Sequence, residues 1–157
     1  LIVVTNQACI NKGIISSQTL DAIHQHMIRE IDGASGHIHA IYYCPHREDE
    51  GCDCRKPKPG MLTQAAHEHI IDLSRAFLIG DSMRDIVAGR RAGCLPLLVL
   101  TGHASKAYQE QVEPRWDRDK LREIPQGGVT RKEVDSQPEK VFADLYAAAL
   151  WILAESN

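Results

Sequence analysis

No apolar run in this 157-residue chain approaches the roughly 20 residues that a membrane-spanning helix needs. No excess of positive charge is present either: the net charge is -3, so no broad basic field argues for a nucleic-acid partner. No leader with a charged head and an apolar core opens the chain, and its 5 cysteines are an odd number. That combination fits a reducing cytoplasm, the expected setting. Internal repeats and low-complexity tracts are missing as well. What remains is 43% hydrophobic and 25% charged, the balance of an ordinary globular protein, at a length that suits a single domain over residues 1–157.

Against this plain background one segment stands out. Cys44-Pro45-His46 is followed, after a short polar loop, by Cys52-Asp53-Cys54-Arg55-Lys56-Pro57. Three thiols and one imidazole lie within residues 44–54. Soft sulfur plus one nitrogen completes a tetrahedral donor set for zinc and leaves no position open for a substrate, so Cys44, His46, Cys52 and Cys54 read as a closed, structural zinc loop. Disulfides are the poorer reading, because a Cys52–Cys54 ring would be too tight. The clip would pin a loop with almost no apolar side chains. Directly behind it stand Arg55 and Lys56, a pair that elsewhere would be solvated surface. Two cations held in place by a metal point to an anionic substrate. Cys94, ahead of an apolar run, reads as a small core residue.

The rest of the chain alternates strands and helices. Leu1 to Thr5 is a β-branched run without polar alternation, as in a buried parallel strand. Ser16 and Ser17 offer caps to a helix carrying Leu20, Ile23, Met27, Ile28 and Ile31 at helical spacing. A strand over 38–43 delivers Cys44, a helix follows over 60–71, a strand over 76–79 runs into Gly80-Asp81, and a helix over 82–92 closes at Gly93. A strand over 95–100 comes next, residues 103–136 are polar and turn-rich, and the spacing predicts a helix over 141–153. This order predicts an α/β fold, a parallel Rossmann-like sheet with helices on both faces. Ligands of such sheets sit at the carboxyl ends of the strands.

Those ends carry Thr5-Asn6, Cys44, Gly80-Asp81 and Thr101-Gly102. Thr5 and Asn6 offer a hydroxyl and an amide suited to a phosphoryl oxygen, or simply make a turn after a strand. Lys56 is a point charge able to neutralise a transferring phosphoryl group, and Arg55 is a planar fork for an oxyanion. Asp81 suits a hard cation such as Mg²⁺, or else caps the helix that follows. Asp85 reads as a helix-face acid rather than a ligand. The histidines form no second cluster; His24, His26, His67 and His69 read as surface or half-buried helix residues.

Thr5-Asn6-Gln7 with Lys12-Gly13, Tyr42-Tyr43-Cys44-Pro45-His46, Cys52-Asp53-Cys54-Arg55-Lys56-Pro57 with Pro59-Gly60-Met61, and Gly80-Asp81 resemble the haloacid dehalogenase superfamily. The resemblance runs in order from Leu1 to about Thr101. Within the superfamily it points to the zinc-loop group of phosphatases that act on heptose 1,7-bisphosphate or on histidinol phosphate. It implies that Thr5 hydrogen-bonds the phosphoryl group, that Lys56 stabilises the phospho-enzyme, and that Arg55 recognises substrate beside Asn6 and Gln7. It also implies that Asp81 binds catalytic Mg²⁺ and that Cys44, His46, Cys52 and Cys54 hold structural zinc. The expected partner is a small sugar phosphate, met by a monomer in the cytoplasm. One departure follows Gln7: Ala8-Cys9 stands where the family has Ser-Gly, which removes one hydroxyl contact.

A second departure is larger. The family's nucleophile and general acid/base lie in an Asp-x-Asp-Gly-Thr motif ending the first strand, and the 157 residues contain no such motif. The chain opens at Leu1, in what resembles the family's second strand. The expectation is therefore a sequence lacking one strand-helix unit. The resemblance places that missing strand mid-sheet, between the strand ending at Thr5 and the one ending at Gly80. A gap beside residues 1–5, or direct pairing of that strand with residues 76–79, should result. The parent would be a phosphoric monoester hydrolase, and this chain alone would turn over no phosphate ester. Histidinol phosphate as substrate, and a non-catalytic zinc domain that binds a partner, remain the alternatives to a heptose bisphosphate phosphatase.

Overall fold

The computed structural model describes residues 1–101 and 137–155. They form two compact units, Leu1–Ile71 and Asp72–Asn157.

In the first unit β1 (Ile2–Asn6) pairs in parallel with β2 (Ala40–Cys44), Thr5 lying opposite Tyr43 and Asn6 opposite Cys44. The crossover between them is α1 (Ser17–Gly33), and α2 (Gly60–His69) follows the cysteine loop. Ser16 is the N-cap of α1: its side chain accepts from the Thr19 N–H at 3.1 Å, as the sequence predicts. Alternation along β2 sends its side chains to opposite faces. The Tyr43 ring meets His24 of α1 at 5.8 Å, while the Tyr42 hydroxyl binds Glu68 and, at 3.0 Å, His69 of α2. Helices thus cover both faces. Of the five apolar positions that mark α1, only Leu20 is fully buried, and Ile23 is half exposed.

The second unit holds β3 (Phe77–Gly80), α3 (Met83–Ala92), β4 (Leu95–Val99), β5 (Lys140–Phe142) and α4 (Leu145–Glu155). Its sheet is parallel throughout, in the order β3-β4-β5. Ile86 of α3 and Leu98 of β4 are fully buried and gather Met83, Leu100 and Val141 around them. On the other face Trp151 of α4 packs its ring 5.7 Å from those of Phe77 and Phe142. Cys94 is buried, as expected, and burial pushes its thiol up.

One element differs from the sequence reading. The helix expected over 141–153 begins only at Leu145, because Lys140–Phe142 add a strand to the apolar edge of β4. Asp144 marks the break: its carboxylate accepts from the Ala147 N–H at 2.8 Å, a capping contact that helical continuation from residue 141 would forfeit.

The strand ladders bear on the expected gap. Among the described residues the strand pairing β1 makes is with β2, and the strand pairing β3 makes is with β4.

Replacing Ile86 by Ala should lower unfolding free energy by about 2–5 kcal/mol, as for other buried aliphatic truncations. Chemical denaturation of the two proteins measures this; a loss under about 1 kcal/mol would show that Ile86 does not anchor the unit.

Candidate functional site

Cys44 ends β2 and points into the unit, where it is fully buried. The chain then turns through His46 and a short helical turn at Glu48–Glu50. Gly51 takes a left-handed conformation with φ 66°, which favours a residue without Cβ, and reverses the chain so that Cys52 and Cys54 return to Cys44. The Cys44 sulfur lies 3.6 Å from that of Cys52 and 3.2 Å from that of Cys54; His46 Nδ1 is 3.5 Å from Cys44 Sγ and 3.3 Å from Cys54 Sγ. All four donor atoms fall within 4.8 Å of one another. A tetrahedral site with bonds of about 2.0–2.3 Å has ligand-to-ligand edges of roughly 3.3–3.8 Å, so the cluster fits a metal ion. Burial, then the neighbouring Cys44 and Cys52 thiols, push the Cys54 thiol up to about 12.

The loop is tied to its surroundings by contacts between residues far apart in sequence. Glu50 accepts from the Arg47 N–H at 2.9 Å and from Asn11 Nδ2 at 2.8 Å, which joins the loop to the turn after β1. These two hydrogen bonds, Asn11 first, hold the Glu50 carboxyl below its ordinary range. The Lys58 ammonium donates to the Cys52 carbonyl at 2.6 Å and to Asp53 at 3.0 Å. Arg55 Nη1 donates to the His46 carbonyl at 3.1 Å, closing the loop from inside. At Gly60 an added Cβ would stand 2.3 Å from the Asp53 carbonyl oxygen, so only glycine lets α2 start against the loop. Asn11, Glu50 and Lys58 are absent from the sequence-based site. Nothing in a polar loop marks one acid or lysine over another until its contacts are known.

Lys56 lies against β1. Its backbone N–H donates to Asn6 Oδ1 at 3.0 Å, its carbonyl accepts from Asn6 Nδ2 at 3.0 Å, and its ammonium donates to the Val4 carbonyl at 2.8 Å. The structure therefore brings Thr5, Asn6, Arg55 and Lys56 to one end of β1, beside the four-donor cluster. Gln7 extends the ladder, its N–H donating to the Cys44 carbonyl at 2.7 Å. Thr5 is half-buried at the strand end.

Asp81 belongs to the second unit. It follows Gly80 at the carboxyl end of β3 and is half-buried. The cap of α3 is not Asp81 but Ser82, in a reciprocal pair with Asp85: the buried Asp85 carboxylate accepts from the Ser82 N–H at 3.1 Å and from its hydroxyl at 2.7 Å. Asp81 is thus not used as the cap; Asp85, expected on the helix face, is instead buried in the capping pair with Ser82. A Cβ at residue 80 would meet that of Asp85 at 2.3 Å, which explains the glycine before Asp81.

A HAD-hydrolase-like family model matches residues 53–124. The chain is 40% identical to the D-glycero-beta-D-manno-heptose-1,7-bisphosphate 7-phosphatase of Bordetella bronchiseptica over 118 residues, covering 75% of this chain and 66% of that protein. Against the Pseudomonas aeruginosa enzyme of the same name the identity is 44%, over 64% of this chain and 56% of that protein. The crystal structure of the B. bronchiseptica phosphatase, complexed with magnesium and phosphate, superimposes with a TM-score of 0.78 at 35% identity, over 98% of this chain and 74% of that one. The chain belongs to the HAD superfamily. The D,D-heptose 1,7-bisphosphate phosphatase of Burkholderia thailandensis agrees, with a TM-score of 0.63 at 29% identity. This HAD chain spans about three-fifths of the length of the curated relatives it matches, from 56% to 66%. Among the described residues no helix is long and apolar enough to cross a membrane.

If the four donors act as one set, the protein should bind one equivalent of Co²⁺ with the intense visible absorption of tetrahedral thiolate coordination. Cys52→Ala with Cys54→Ala should abolish that signal. Because thiols must lose protons to bind, occupancy should fall as pH is lowered. An octahedral spectrum, or one unmoved by the double change, would show that the cluster is not the ligand set.

Proposed function

We propose that this chain serves removal of the 7-phosphate from D-glycero-D-manno-heptose 1,7-bisphosphate, in the cytoplasm and as a monomer, with zinc fixing residues 44–54 and Mg²⁺ at Asp81. One observation carries the reading. In a chain whose relatives bear that name, the backbone of Lys56 is anchored to the end of β1 directly behind a complete Cys3His donor set. Three sulfurs and one imidazole favour zinc over harder ions and leave it no open position, so its part is structural.

Each residue then has a task that its chemistry permits. Thr5 donates its hydroxyl to a phosphoryl oxygen. Lys56 supplies a fixed positive charge where negative charge grows during transfer, a contribution larger in the transition state than in the ground state. Arg55 spends one guanidinium N–H on the His46 carbonyl and keeps a planar array of donors for the substrate. Gln7 and Asn6 sit at the same strand end. Asp81 would hold Mg²⁺, which when bound neutralises phosphate charge. Transfer through an aspartyl-phosphate requires a carboxylate nucleophile. With no Asp-x-Asp-Gly-Thr motif in the sequence, the share of these residues is recognition and charge stabilisation.

Calorimetry with Mg²⁺ present tests the reading through binding, which needs no nucleophile. Heptose 1,7-bisphosphate should bind more tightly than histidinol phosphate. Lys56→Ala should weaken it about 10- to 100-fold, the worth of a charged hydrogen bond, and Asp81→Asn should remove the Mg²⁺ dependence. A preference for histidinol phosphate would reassign the substrate. No affinity for either would leave the zinc-domain alternative standing.

A further inference from the structure

Asn6 and Lys56 are 50 residues apart and meet through two hydrogen bonds of 3.0 Å, one in each direction. The carboxamide presents a donor and an acceptor side by side, as a peptide group does, and pairs with the backbone of Lys56 as a neighbouring strand would. The lysine side chain then runs back along β1 to the Val4 carbonyl. In a parallel ladder, residues that bond to a given neighbour alternate along the strand. The Leu1 carbonyl and the Gln7 N–H both bond to the β2 side, through His39 and Cys44. Odd-numbered residues therefore face β2, and the Val4 carbonyl lies on the opposite edge. From residue 6 to residue 4 the strand spans about 6.6 Å. Five bonds of roughly 1.5 Å carry a lysine ammonium about that far from its own Cα. The backbone anchor and the ammonium's resting place are matched in length.

We propose that Asn6 is a positioning residue that acts through Lys56, holding its backbone so that the ammonium stands at the edge of β1 opposite β2, rather than a ligand of the phosphoryl group. This rests on the phosphatase reading only for the purpose of the placement, not for the placement itself. Asparagine alone suits it. Aspartate cannot donate, glutamine is one methylene too long to meet both groups at this separation, and serine offers one atom where two are needed.

Amide hydrogen exchange on the full chain tests the bracket without any catalysis. In Asn6→Ala the Lys56 amide should exchange about tenfold faster, the loss of one hydrogen bond of ordinary strength. The Leu20 amide, bonded to the Ser16 carbonyl within the same unit, should keep its wild-type rate. Asn6→Asp, which retains the acceptor, should restore protection at Lys56. An unchanged Lys56 rate in Asn6→Ala, or equal acceleration at Leu20, would overturn the proposal. Inorganic phosphate with Mg²⁺ supplies the second readout. If Asn6 acts through Lys56, the Asn6→Ala, Lys56→Ala double variant should bind phosphate no more weakly than Lys56→Ala alone. Additive losses would make Asn6 a direct ligand and sink the idea. A wild-type chain that binds no phosphate, yet shows the local exchange change, would keep the bracket and remove the phosphatase reading.

Discussion

A polar loop with almost no apolar side chains can hold a shape only through the groups that bind one another inside it. Residues 44–56 are such a loop, and the convergence of Cys44, His46, Cys52 and Cys54 is the constraint on which the rest of the first unit's site depends. Without it, fixing each loop residue would cost about 1–2 kcal/mol of backbone entropy with no core burial to offset it. With a metal in the cluster the cost is met by coordination, and the neighbouring hydrogen bonds become cheap to keep. Lys58 on the Cys52 carbonyl, Arg55 on the His46 carbonyl and Glu50 on Asn11 are all of this second kind. With a metal bound, coordination would fix the path of the chain at Arg55 and Lys56, and so serve the recognition proposed for them only indirectly.

The second unit solves a similar problem by different means. Asp81 needs no ion to be placed, because it sits between β3 and a capped helix. The Ser82–Asp85 pair satisfies the first turn of α3, and Gly80 leaves room for the Asp85 side chain against the backbone. A carboxylate in the role of metal ligand should not also serve as a cap, since a hydrogen-bonded N-cap gives up lone pairs that a hard cation would use. With the cap assigned to Ser82 and Asp85, the Mg²⁺ ligation proposed for Asp81 would fall on a different side chain.

What the sequence disclosed follows from how local each signal is. The cysteine loop was legible because its four donors lie within one short segment, and the cap of α1 because it spans a few residues; at α3 the sequence offered Asp81, one residue ahead of the Ser82 cap. Alternation of strands and helices gave the fold class for the same reason. The strand at Lys140–Phe142 was not legible. Three residues running into an apolar helix carry no period of their own, and only the exposed edge of β4 decides between strand and helix. Nor did the helical spacing in α1 tell which apolar residues are buried, since Ile23 shares the pattern with Leu20 but not its surroundings. The roles of Glu50 and Asn6 were hidden most deeply. Each depends on a partner 39 or 50 positions away, a distance over which sequence pattern says nothing.

The Asn6 contact also changes what a strand-end motif means. Read along the sequence, Thr5-Asn6-Gln7 looks like three donors presented to one ligand. In the fold the three divide. The Gln7 N–H lengthens the β1–β2 ladder, and the Asn6 carboxamide closes on the Lys56 backbone. The Thr5 hydroxyl and the Gln7 side-chain amide are groups whose chemistry suits direct contact with an anion. A strand terminus has few backbone groups to spare, and every one that positions a distant cation is one fewer to bind substrate. The arrangement favours the cation. On the phosphatase reading proposed above, an ammonium held at the strand edge would present a full charge to a phosphoryl group, whereas another neutral amide would contribute about half as much per hydrogen bond. Using one amide to fix one ammonium would then strengthen phosphate binding more than using the same amide as a ligand.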